Sequence, residues 1–375
     1  MRILLLSNYY PEHVGGIETI AATLADGYRS RGHEVRWIAG DISSMPHAAS
    51  AGDVPIRVWN AIERLGFPYP LPGPGALSTL RREVAWAGVI HMHDCLYAIN
   101  VAAFVEARRI RRPVLITQHI ANVPYPNPLY RGLQTLAYAT FGFAVLRGAD
   151  QVVFLSDVVQ RYFESRLKLR RPSAFVPNGF RCALFSYVGE SERMALRDRL
   201  SVGVDQPLLV FVGQFKEKKG LLLLRRVIEA RPEWSWLLIG RPADVDPGSW
   251  ALPNLRVLAP VRPADLRAYY GAADLLVLPG REAFPVSAQE AMACGTPVLL
   301  SEQTAGAIPE INSLIFQSAP TAADLCVSIE NALAALRANP VLRRRAAGYA
   351  RDSWSSDVMV ARYEELLGGL VPVAT

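Results

Sequence analysis

The chain has 375 residues, of which 51% are hydrophobic and 20% are charged. This composition supports two domains with separate cores and excludes a disordered or fibrous protein. The formal net charge of +6 lies in the first half, because residues 1–180 hold 19 Lys and Arg against 13 Asp and Glu, whereas residues 181–375 hold 21 of each. A basic half favours phosphate-bearing partners or the anionic face of a membrane. Nucleic acid is disfavoured, since no aromatic residues are interleaved with the basic ones.

The cysteines and the first residues bear on the compartment. The four cysteines are far apart and form no C-x-x-C pair, which predicts a reducing compartment without disulfides or structural zinc. The apolar run at the start is too short for a signal peptide. We expect a cytoplasmic protein, with peripheral contact at the inner membrane face through its basic half.

Short apolar runs alternate with helical patterns along nearly the whole chain. In the first half, the predicted strands are 2–8, 34–40, 89–94, 113–119 and 151–156. In the second half, they are 208–214, 235–241, 255–260, 275–280 and 297–302. Near-continuous apolar strands separated by helices predict parallel sheets that are covered on both faces. Strands thin out between about 180 and 207, which predicts a boundary between two doubly wound domains with the ligand in the cleft between them.

Two segments of the first half are less regular. The stretch 132–148, "GLQTLAYATFGFAVLRG", predicts a helix that is too short to span a membrane. We interpret it as a buried helix, and contact with a membrane surface is the alternative. The proline-rich segment 65–76 predicts a structured surface loop.

The first strand is followed by "SNYYPEHVGGIET", in which Gly15 and Gly16 directly precede a helix. Glycines at a helix N-terminus let backbone N–H groups approach an anion. The G-x-G-x-x-G spacing of a dinucleotide site is missing, which disfavours a dehydrogenase with Asp41 on the ribose.

The loop "VGQFKEKKG" follows the first strand of the second half. The chain has only four lysines against 36 arginines, and three of the four, Lys216, Lys218 and Lys219, lie in this loop. Because an ammonium group is a compact phosphate ligand, we interpret the loop as a phosphate site; a solvated basic turn is the alternative.

Histidines follow strands in the first half. His91 and His93 fall on one face of a strand, and with no carboxylate cluster nearby we do not expect a metal site. His119 ends the strand "VLITQH" and is predicted to point into the cleft; a structural role is the alternative.

Two glutamates eight positions apart flank a Phe-Pro turn after the strand "LLVLP". Glu282 lies at the strand end, and Glu290 lies in the next helix, about one turn from its start near Val286. A carboxylate one turn from the start of this helix can accept hydrogen bonds from two ribose hydroxyls. The turn amides from Phe284 through Pro285 to Val286 can hold a phosphate. Together with the lysine loop, the pattern predicts a nucleotide-sugar pocket.

Motifs along nearly the whole chain resemble those of the retaining GT-B glycosyltransferases of family 4, or glycosyl transferases group 1. The stretch "EAFPVSAQEAMACGTPVLL" resembles the E-x7-E motif of that family, and the matching blocks include "YPEHVGGIET", "VIHMHD", "LITQH", "FVPNGF", "FVGQFKEKKG" and "AYYGAADLLVLPGREAF". The resemblance implies two facing Rossmann-like domains: an acceptor-side domain over 1–180, a donor domain over 181–352, and a last helix over about 353–375 that crosses back.

The resemblance also implies roles for single residues. Gly16 would donate its N–H to the distal phosphate and Lys219 would neutralise the diphosphate. Glu290 would hold the ribose, whereas Glu282 and His119 would contact the donor sugar.

The sequence departs from the family pattern at three places. Gln214 stands where an arginine is common, and Lys216, Lys218 or Arg281 would supply the missing phosphate cation. "PNGFR" replaces the usual "PNGVD", and Pro285 replaces a common glycine.

The resemblance therefore implies a metal-independent, retaining hexosyltransferase that moves a sugar from a nucleotide-diphosphate-sugar to a glycan or lipid-linked acceptor, without a cofactor. The alternatives are a donor-binding protein without transfer activity, a nucleotide-sugar epimerase and a phosphorylase.

Overall fold

The computed structural model describes residues 1–13, 16–41, 50–59, 70–121, 127–281, 285–306 and 314–371. The chain divides into two compact units. Unit 1 consists of Met1–Asn178 and Met359–Thr375, and unit 2 is Gly179–Val358.

The sheet of unit 1 has eight strands among the described residues, in the order β4-β3-β2-β1-β5-β6-β7-β8. The strands are β1 (Arg2–Tyr9), β2 (Glu34–Asp41), β3 (Asp53–Trp59), β4 (Leu71–Pro72), β5 (Val89–His93), β6 (Val114–Gln118), β7 (Gln151–Phe154) and β8 (Ala174–Phe175). All neighbouring pairs are parallel except β3 with β4. The central strands are buried on both faces because helices cover them, which explains their almost uninterrupted apolar sequence.

Helices of unit 1 cover this sheet. They are α1 (Gly16–Ser30), α2 (Ala76–Trp86), α3 (Ala98–Arg109), α4 (Pro128–Ala137), α5 (Phe143–Gly148) and α6 (Asp157–Glu164), with a π-helical turn (Tyr138–Gly142) that joins α4 to α5. In α1, Ile20, Leu24 and Tyr28 form the buried face. The chain leaves this helix at Gly32, whose φ of 81° favours glycine.

The sheet of unit 2 has six described strands in the order β11-β10-β9-β12-β13-β14, and all its pairs are parallel. The strands are β9 (Leu208–Val212), β10 (Ser235–Ile239), β11 (Leu255–Leu258), β12 (Leu275–Leu278), β13 (Val298–Ser301) and β14 (Ile315–Ser318). The helices are α7 (Glu190–Arg199), α8 (Leu221–Ala230), α9 (Pro263–Ala272), α10 (Val286–Ala293), α11 (Glu302–Ala305), α12 (Ala322–Ala338), α13 (Val341–Trp354) and α14 (Ser356–Gly368), of which α14 continues into unit 1.

Most of α14 belongs to unit 1. Val360 and Tyr363 are buried in a core cluster with residues of α1 and β1. The hydroxyl of Thr117 donates to that of Tyr363 at 3.0 Å, and Glu364 accepts from Arg31 at 2.8 Å. Helix α14 is thus an integral part of the core of unit 1.

The sequence predicted two doubly wound parallel sheets, and this prediction is confirmed. Four strands were not predicted: β3, β4, β8 and β14. Each lies at or next to a sheet edge, where one face meets solvent and the apolar run is short or interrupted, as at Pro55 in β3.

The prediction of a buried helix over 132–148 is wrong. The segment is helical, but Leu133, Leu136 and Phe141 are more than half exposed. Helical periodicity indicated the element, but the apolar content does not reveal how much of the helix is covered. No helix within the described ranges combines the length and apolar character that a membrane span needs.

Candidate active site

The strand order reverses once in each sheet, and several of the predicted site residues that the structure describes follow the strands at these reversals. In unit 2, β9 and β12 are neighbours, but the chain leaves them toward opposite sheet edges. A crevice forms between the loops that follow two such strands, and α/β proteins bind ligands there. The lysine loop follows β9, and the segment from Arg281 to Glu290 follows β12. The corresponding reversal in unit 1 lies between β1 and β5.

The two loops of unit 2 approach each other closely because glycines lie at their contact. A Cβ added at Gly280 would lie 2.4 Å from Cα of Lys219, and one added at Gly220 would lie 2.8 Å from Cγ of Pro279. Gly220 also has a φ of 81° at the start of α8. The backbone N–H of Arg281 donates to the carbonyl of Lys218 at 3.3 Å. The backbones therefore touch without an intervening side chain.

The cationic side chains of this region belong to one short stretch of backbone. Glu217–Lys219 form a 3-10 turn, which is followed at once by α8. Lys216 and Lys219 are half-buried, whereas Gln214 and Lys218 are exposed, as is Arg281 on the facing loop. Nζ of Lys219 lies 3.3 Å from a Cβ added at Gly213. Ammonium groups beside a helix N-terminus form a setting that suits a diphosphate.

Glu290 lies on α10, which begins after the buried Pro285. Its Oε2 accepts a hydrogen bond from the Tyr270 hydroxyl at 3.0 Å. Burial raises the pKa of Glu290 to about 7. The hydrogen bond from Tyr270 and the charge of Arg181 lower this pKa, but burial is the larger effect. The carboxyl therefore titrates near neutrality, and a ligand that donates hydrogen bonds to it would favour its ionised form.

Gln289, the neighbour of Glu290 on α10, is fully buried. Neither its side-chain oxygen nor its nitrogen has a hydrogen-bond partner in the part of the chain that the structure describes. Such unpaired polar atoms cost free energy of folding.

In unit 1, Gly16 is the exposed first residue of α1, and a Cβ added there would meet no atom within 4 Å. Glu18, in the first turn of the helix, is buried, and this burial raises its pKa. Asp94 directly follows β5 with a φ of 64°, a conformation that is unfavourable for residues other than glycine. Burial raises the pKa of Asp94 to about 7, and the charge of Glu18 contributes in the same direction.

His119 is held by two contacts. Its backbone N–H donates to Oδ1 of Asp94 at 3.0 Å, and its Nε2 lies 2.8 Å from Nδ1 of His93. Burial lowers the pKa of His119 to about 3 and that of His93 well below its ordinary value, so both rings are neutral at pH 7. One ring donates and the other accepts, and the tautomer of His119 is therefore coupled to that of His93.

His91 continues this row of rings below the strand end. It stacks on His93 with centroids 4.8 Å apart and contacts the Tyr28 hydroxyl through Nδ1 at 3.1 Å and the Thr117 hydroxyl through Nε2 at 2.8 Å. In the described ranges, no three His, Cys, Asp or Glu side chains are grouped as they would be around a metal ion.

The predicted site residues fall into three sets. Unit 2 brings together the lysine loop and Arg281 beside the helix that carries Val286 and Glu290, while Gly16 and His119 belong to unit 1. Gly15, Glu282 and Phe284 lie outside the described residues. Sequence reasoning missed Tyr270, Arg181, His93 and Asp94 as partners. The block "AYYGAADLLVLPG" and the run "HMHD" contained three of them, but their spacing did not show which contacts they make.

Comparisons with known proteins agree with this architecture. Residues 14–184 match the family model described as Glycosyltransferase Family 4, and residues 206–334 match Glycosyl transferases group 1. A phosphatidyl-myo-inositol mannosyltransferase from Mycobacterium leprae is 27% identical over 371 residues, which cover 92% of this chain and 90% of the relative.

Solved structures of similar fold cover the whole chain. Sucrose-phosphate synthase from Thermosynechococcus elongatus has a TM-score of 0.70 at 20% identity, with 99% of each chain covered. The Anabaena protein HepE in complex with UDP has a TM-score of 0.72 at 17% identity, with 99% of this chain and 100% of HepE covered. Together with the two family models, these likenesses identify the chain as a member of the GT4-type glycosyltransferases, the group 1 enzymes of GT-B fold.

Proposed function

We propose that this glycosyltransferase moves a hexose from a nucleotide-diphosphate-sugar to a lipid-linked or glycan acceptor, with retention of the anomeric configuration and without a metal ion. One observation carries the proposal: the lysine loop contacts the backbone at Gly280, just after β12. The ammonium groups of this loop and the Glu290 carboxyl, which titrates near neutrality, therefore follow the two strands at which the strand order of unit 2 reverses. A nucleoside diphosphate presents the complementary groups, namely phosphate oxygens and paired ribose hydroxyls.

The donor is held by groups of two kinds. Glu290 accepts hydrogen bonds from the ribose hydroxyls, and the Tyr270 hydroxyl orients its carboxylate. Lys219, with Lys216, Lys218 or Arg281, neutralises the diphosphate, and the backbone N–H of Val286 donates to it. The family resemblance implies that the N–H of Gly16 donates to the distal phosphate. Because Gln214 is exposed and uncharged, these cations take the place of the arginine that is common in the family. Glu282 and His119 position the donor sugar, as the family resemblance implies.

The reaction follows from stabilising the leaving group. As the bond between the anomeric carbon and the phosphate oxygen breaks, negative charge develops on the diphosphate and is neutralised by the lysines. The acceptor hydroxyl attacks from the same face and forms the new glycosidic bond, and its proton passes to the departing phosphate oxygen. His119 stays neutral, so it can donate one hydrogen bond to a sugar hydroxyl without acting as an acid.

The acceptor class is suggested by relatives rather than by geometry. The mycobacterial relative is named for phosphatidyl-myo-inositol, and the basic first half of this chain suits a phosphorylated lipid. We therefore favour a lipid-linked acceptor at the inner face of the cytoplasmic membrane.

A panel of UDP-, GDP- and ADP-sugars tests donor binding by the rise in melting temperature that a ligand produces. We expect one nucleotide to stabilise the protein, in the presence of EDTA as in its absence. Lys219→Ala should weaken that donor about 10- to 100-fold. The matched control is Lys168→Ala, because Lys168 is exposed and is the one lysine of the sequence outside the loop.

A second candidate function is donor binding without transfer, which the uncharged Gln214 favours. Hydrolysis of the donor, or transfer to a phosphoinositide extract, would exclude it. Absence of a melting shift with every nucleotide sugar would contradict both functions.

A further inference from the structure

A pocket of about 530 Å³ opens in unit 2 at the amino ends of β9 and β12. Pro207, which precedes β9, and Asp274, which precedes β12, both line it. The lysine loop and Gly280 follow the carboxyl ends of the same two strands, so the pocket lies at the opposite edge of the sheet. Because β9 has five residues, the two edges are roughly 15 Å apart. The pocket is therefore separate from the candidate donor site.

Helices α7, α12 and α13 contribute most of the walls of this pocket. Met194 on α7 and Leu333 and Leu336 on α12 supply apolar side chains. Arg193 on α7 and Arg343 on α13 also line the pocket, and these two arginines are only 6% and 8% exposed. Apolar walls with a few charged groups of fixed position are typical of small-molecule sites, and the volume is sufficient for one.

The buried arginines outnumber the acids that pair with them. Arg193 and Arg197 share one carboxylate, that of Asp274. Arg343 instead donates to two backbone carbonyls at the end of α9, at 2.9 and 3.1 Å, and no acidic side chain of the described residues forms an ion pair with it. The carbonyls at a helix end carry about half a negative charge. Three guanidinium groups thus meet one carboxylate and about half a further negative charge.

Two further observations show that this positive charge is incompletely paired. Nε of Arg193 is buried and has no hydrogen-bond partner in the part of the chain that the structure describes. Burial lowers the pKa of Arg343 to about 10, and the charge of Arg193 lowers it as well. Buried cations cost free energy of folding unless an anion and its hydrogen bonds compensate them. The pocket therefore offers a ligand one unused N–H donor and an excess of positive charge.

The remaining charged residues of the pocket are exposed. Glu190, whose Oε1 lies 3.6 Å from Nη1 of Arg193, has a side chain that is 66% exposed. Asp205 and Arg337 are exposed as well. Water and salt screen exposed charges more strongly than buried ones. The attraction of the buried arginines for an anion therefore remains, but the two exposed acids disfavour a highly charged anion such as a polyphosphate.

We propose that this pocket binds an organic anion that carries a single oxyanion group, a carboxylate or a phosphate monoester, on an apolar body. The oxyanion accepts a hydrogen bond from Nε of Arg193 and offsets the charge of Arg343. The body packs against Met194, Leu333 and Leu336. A neutral molecule of the same shape would leave the buried charge unpaired, and inorganic phosphate would leave the apolar walls in water. The site goes beyond the proposed reaction, because none of its residues belongs to the candidate donor site.

Isothermal titration with four compounds tests this site. The probes are naphthoate, naphthyl phosphate, the neutral naphthamide and inorganic phosphate. We expect at least one naphthyl anion to bind about 10- to 100-fold more tightly than naphthamide and than inorganic phosphate, and to raise the melting temperature of the protein. The naphthyl anion that binds more tightly identifies the preferred oxyanion as a carboxylate or a phosphate.

Two variants place a carboxylate in the pocket from different helices. They are Leu336→Glu on α12 and Met194→Glu on α7, both at half-buried positions. Each should weaken the naphthyl anion at least about tenfold, because the new carboxylate competes for the arginines. The matched control is Val327→Glu, which puts the same charge on α12 at a position that is 53% exposed and does not line the pocket. This control should bind like the unchanged protein.

Melting temperatures check that the variants fold, and the use of two helices keeps the test decisive if one variant is unstable. The proposal is wrong if neither naphthyl anion binds, if naphthamide binds as tightly, or if anion affinity is unchanged in both pocket variants. An equal loss of affinity in Val327→Glu would contradict it as well. The nucleotide-sugar panel concerns the other edge of the sheet, so this site and the proposed reaction can fail separately.

Discussion

Replacing Glu290 with glutamine should stabilise the protein at alkaline pH while weakening the donor. The folded-state pKa of Glu290 is raised from 4.5 to about 7. Its contribution to stability is therefore complete below about pH 4.5 and is lost as the pH rises through 7. Glutamine keeps an oxygen that can accept from the Tyr270 hydroxyl, but it has no charge to desolvate.

The size of this effect follows from the shift. A shift from 4.5 to about 7 corresponds to roughly 3 kcal/mol between the two protonation states. Because the edge of the carboxyl still meets solvent, we expect about 1–2 kcal/mol in practice. At about pH 8, the free energy of unfolding of Glu290→Gln should exceed that of the unchanged protein by this amount, and the difference should shrink towards zero near pH 4.5. Urea denaturation across this pH range measures it.

Donor binding should respond in the opposite direction. A ribose that needs the ionised carboxylate must displace a proton below about pH 7, so the affinity for the nucleotide sugar should fall up to about tenfold per pH unit. Glu290→Gln should lose this dependence and bind about 10- to 100-fold more weakly at about pH 8. Isothermal titration at several pH values separates these effects, since the diphosphate of a nucleotide sugar is a diester that does not itself titrate near neutrality. A destabilised Glu290→Gln at alkaline pH, or a stability difference that does not vary with pH, would refute the reasoning.

Three further predictions concern the packing around the site. Gly280→Ala, which pushes a Cβ against the backbone of Lys219, should cost about 1–3 kcal/mol of stability in urea denaturation. The control Gly203→Ala, whose Cβ meets only Cβ of Gln206 at 3.8 Å, should change it by less than about 0.5 kcal/mol. Gln289→Met removes two unpaired polar atoms and should stabilise the protein by about 1–2 kcal/mol, and a loss of stability would show that the amide has a partner in solution. Burial lowers the pKa of His91 from 6.5 to about 3. As the pH falls below about 6.5, the unfolded state therefore binds a proton at this ring while the folded state does not, and the protein loses stability. The stability advantage of the unchanged protein over His91→Gln should therefore shrink by about 1–2 kcal/mol between about pH 7 and pH 5. The buried acids Asp94 and Glu18 change stability with pH in the opposite direction, but they do so in both proteins, so their contributions cancel in the difference.

The fold could be predicted from the sequence because its central strands are buried on both faces and read as apolar runs. The position of Glu290 and the lysine loop followed in the same way, since carboxyl ends of parallel strands lie at one edge of a sheet. Their chemistry did not follow. That Tyr270 binds Glu290, or that His93 contacts His119, depends on residues 20 and 26 positions apart, and side-chain direction at such distances is set by packing. The helix over 132–148 was predicted to be buried, with surface contact as the alternative, for the related reason that apolar periodicity does not say which face is covered.

Tyr363, buried beside Thr117, has a consequence for biosynthesis. The ribosome synthesises residues 1–178 before unit 2, but the core of unit 1 also needs Tyr363 and Val360, which packs against Gly27, and both are missing until α14 has been synthesised. Unit 2, which is continuous in sequence, can complete its own core earlier. Of these two units, unit 1 thus starts first and closes second, and a nascent chain that stops before residue 359 would expose the apolar residues of α1 that α14 covers to chaperones and proteases.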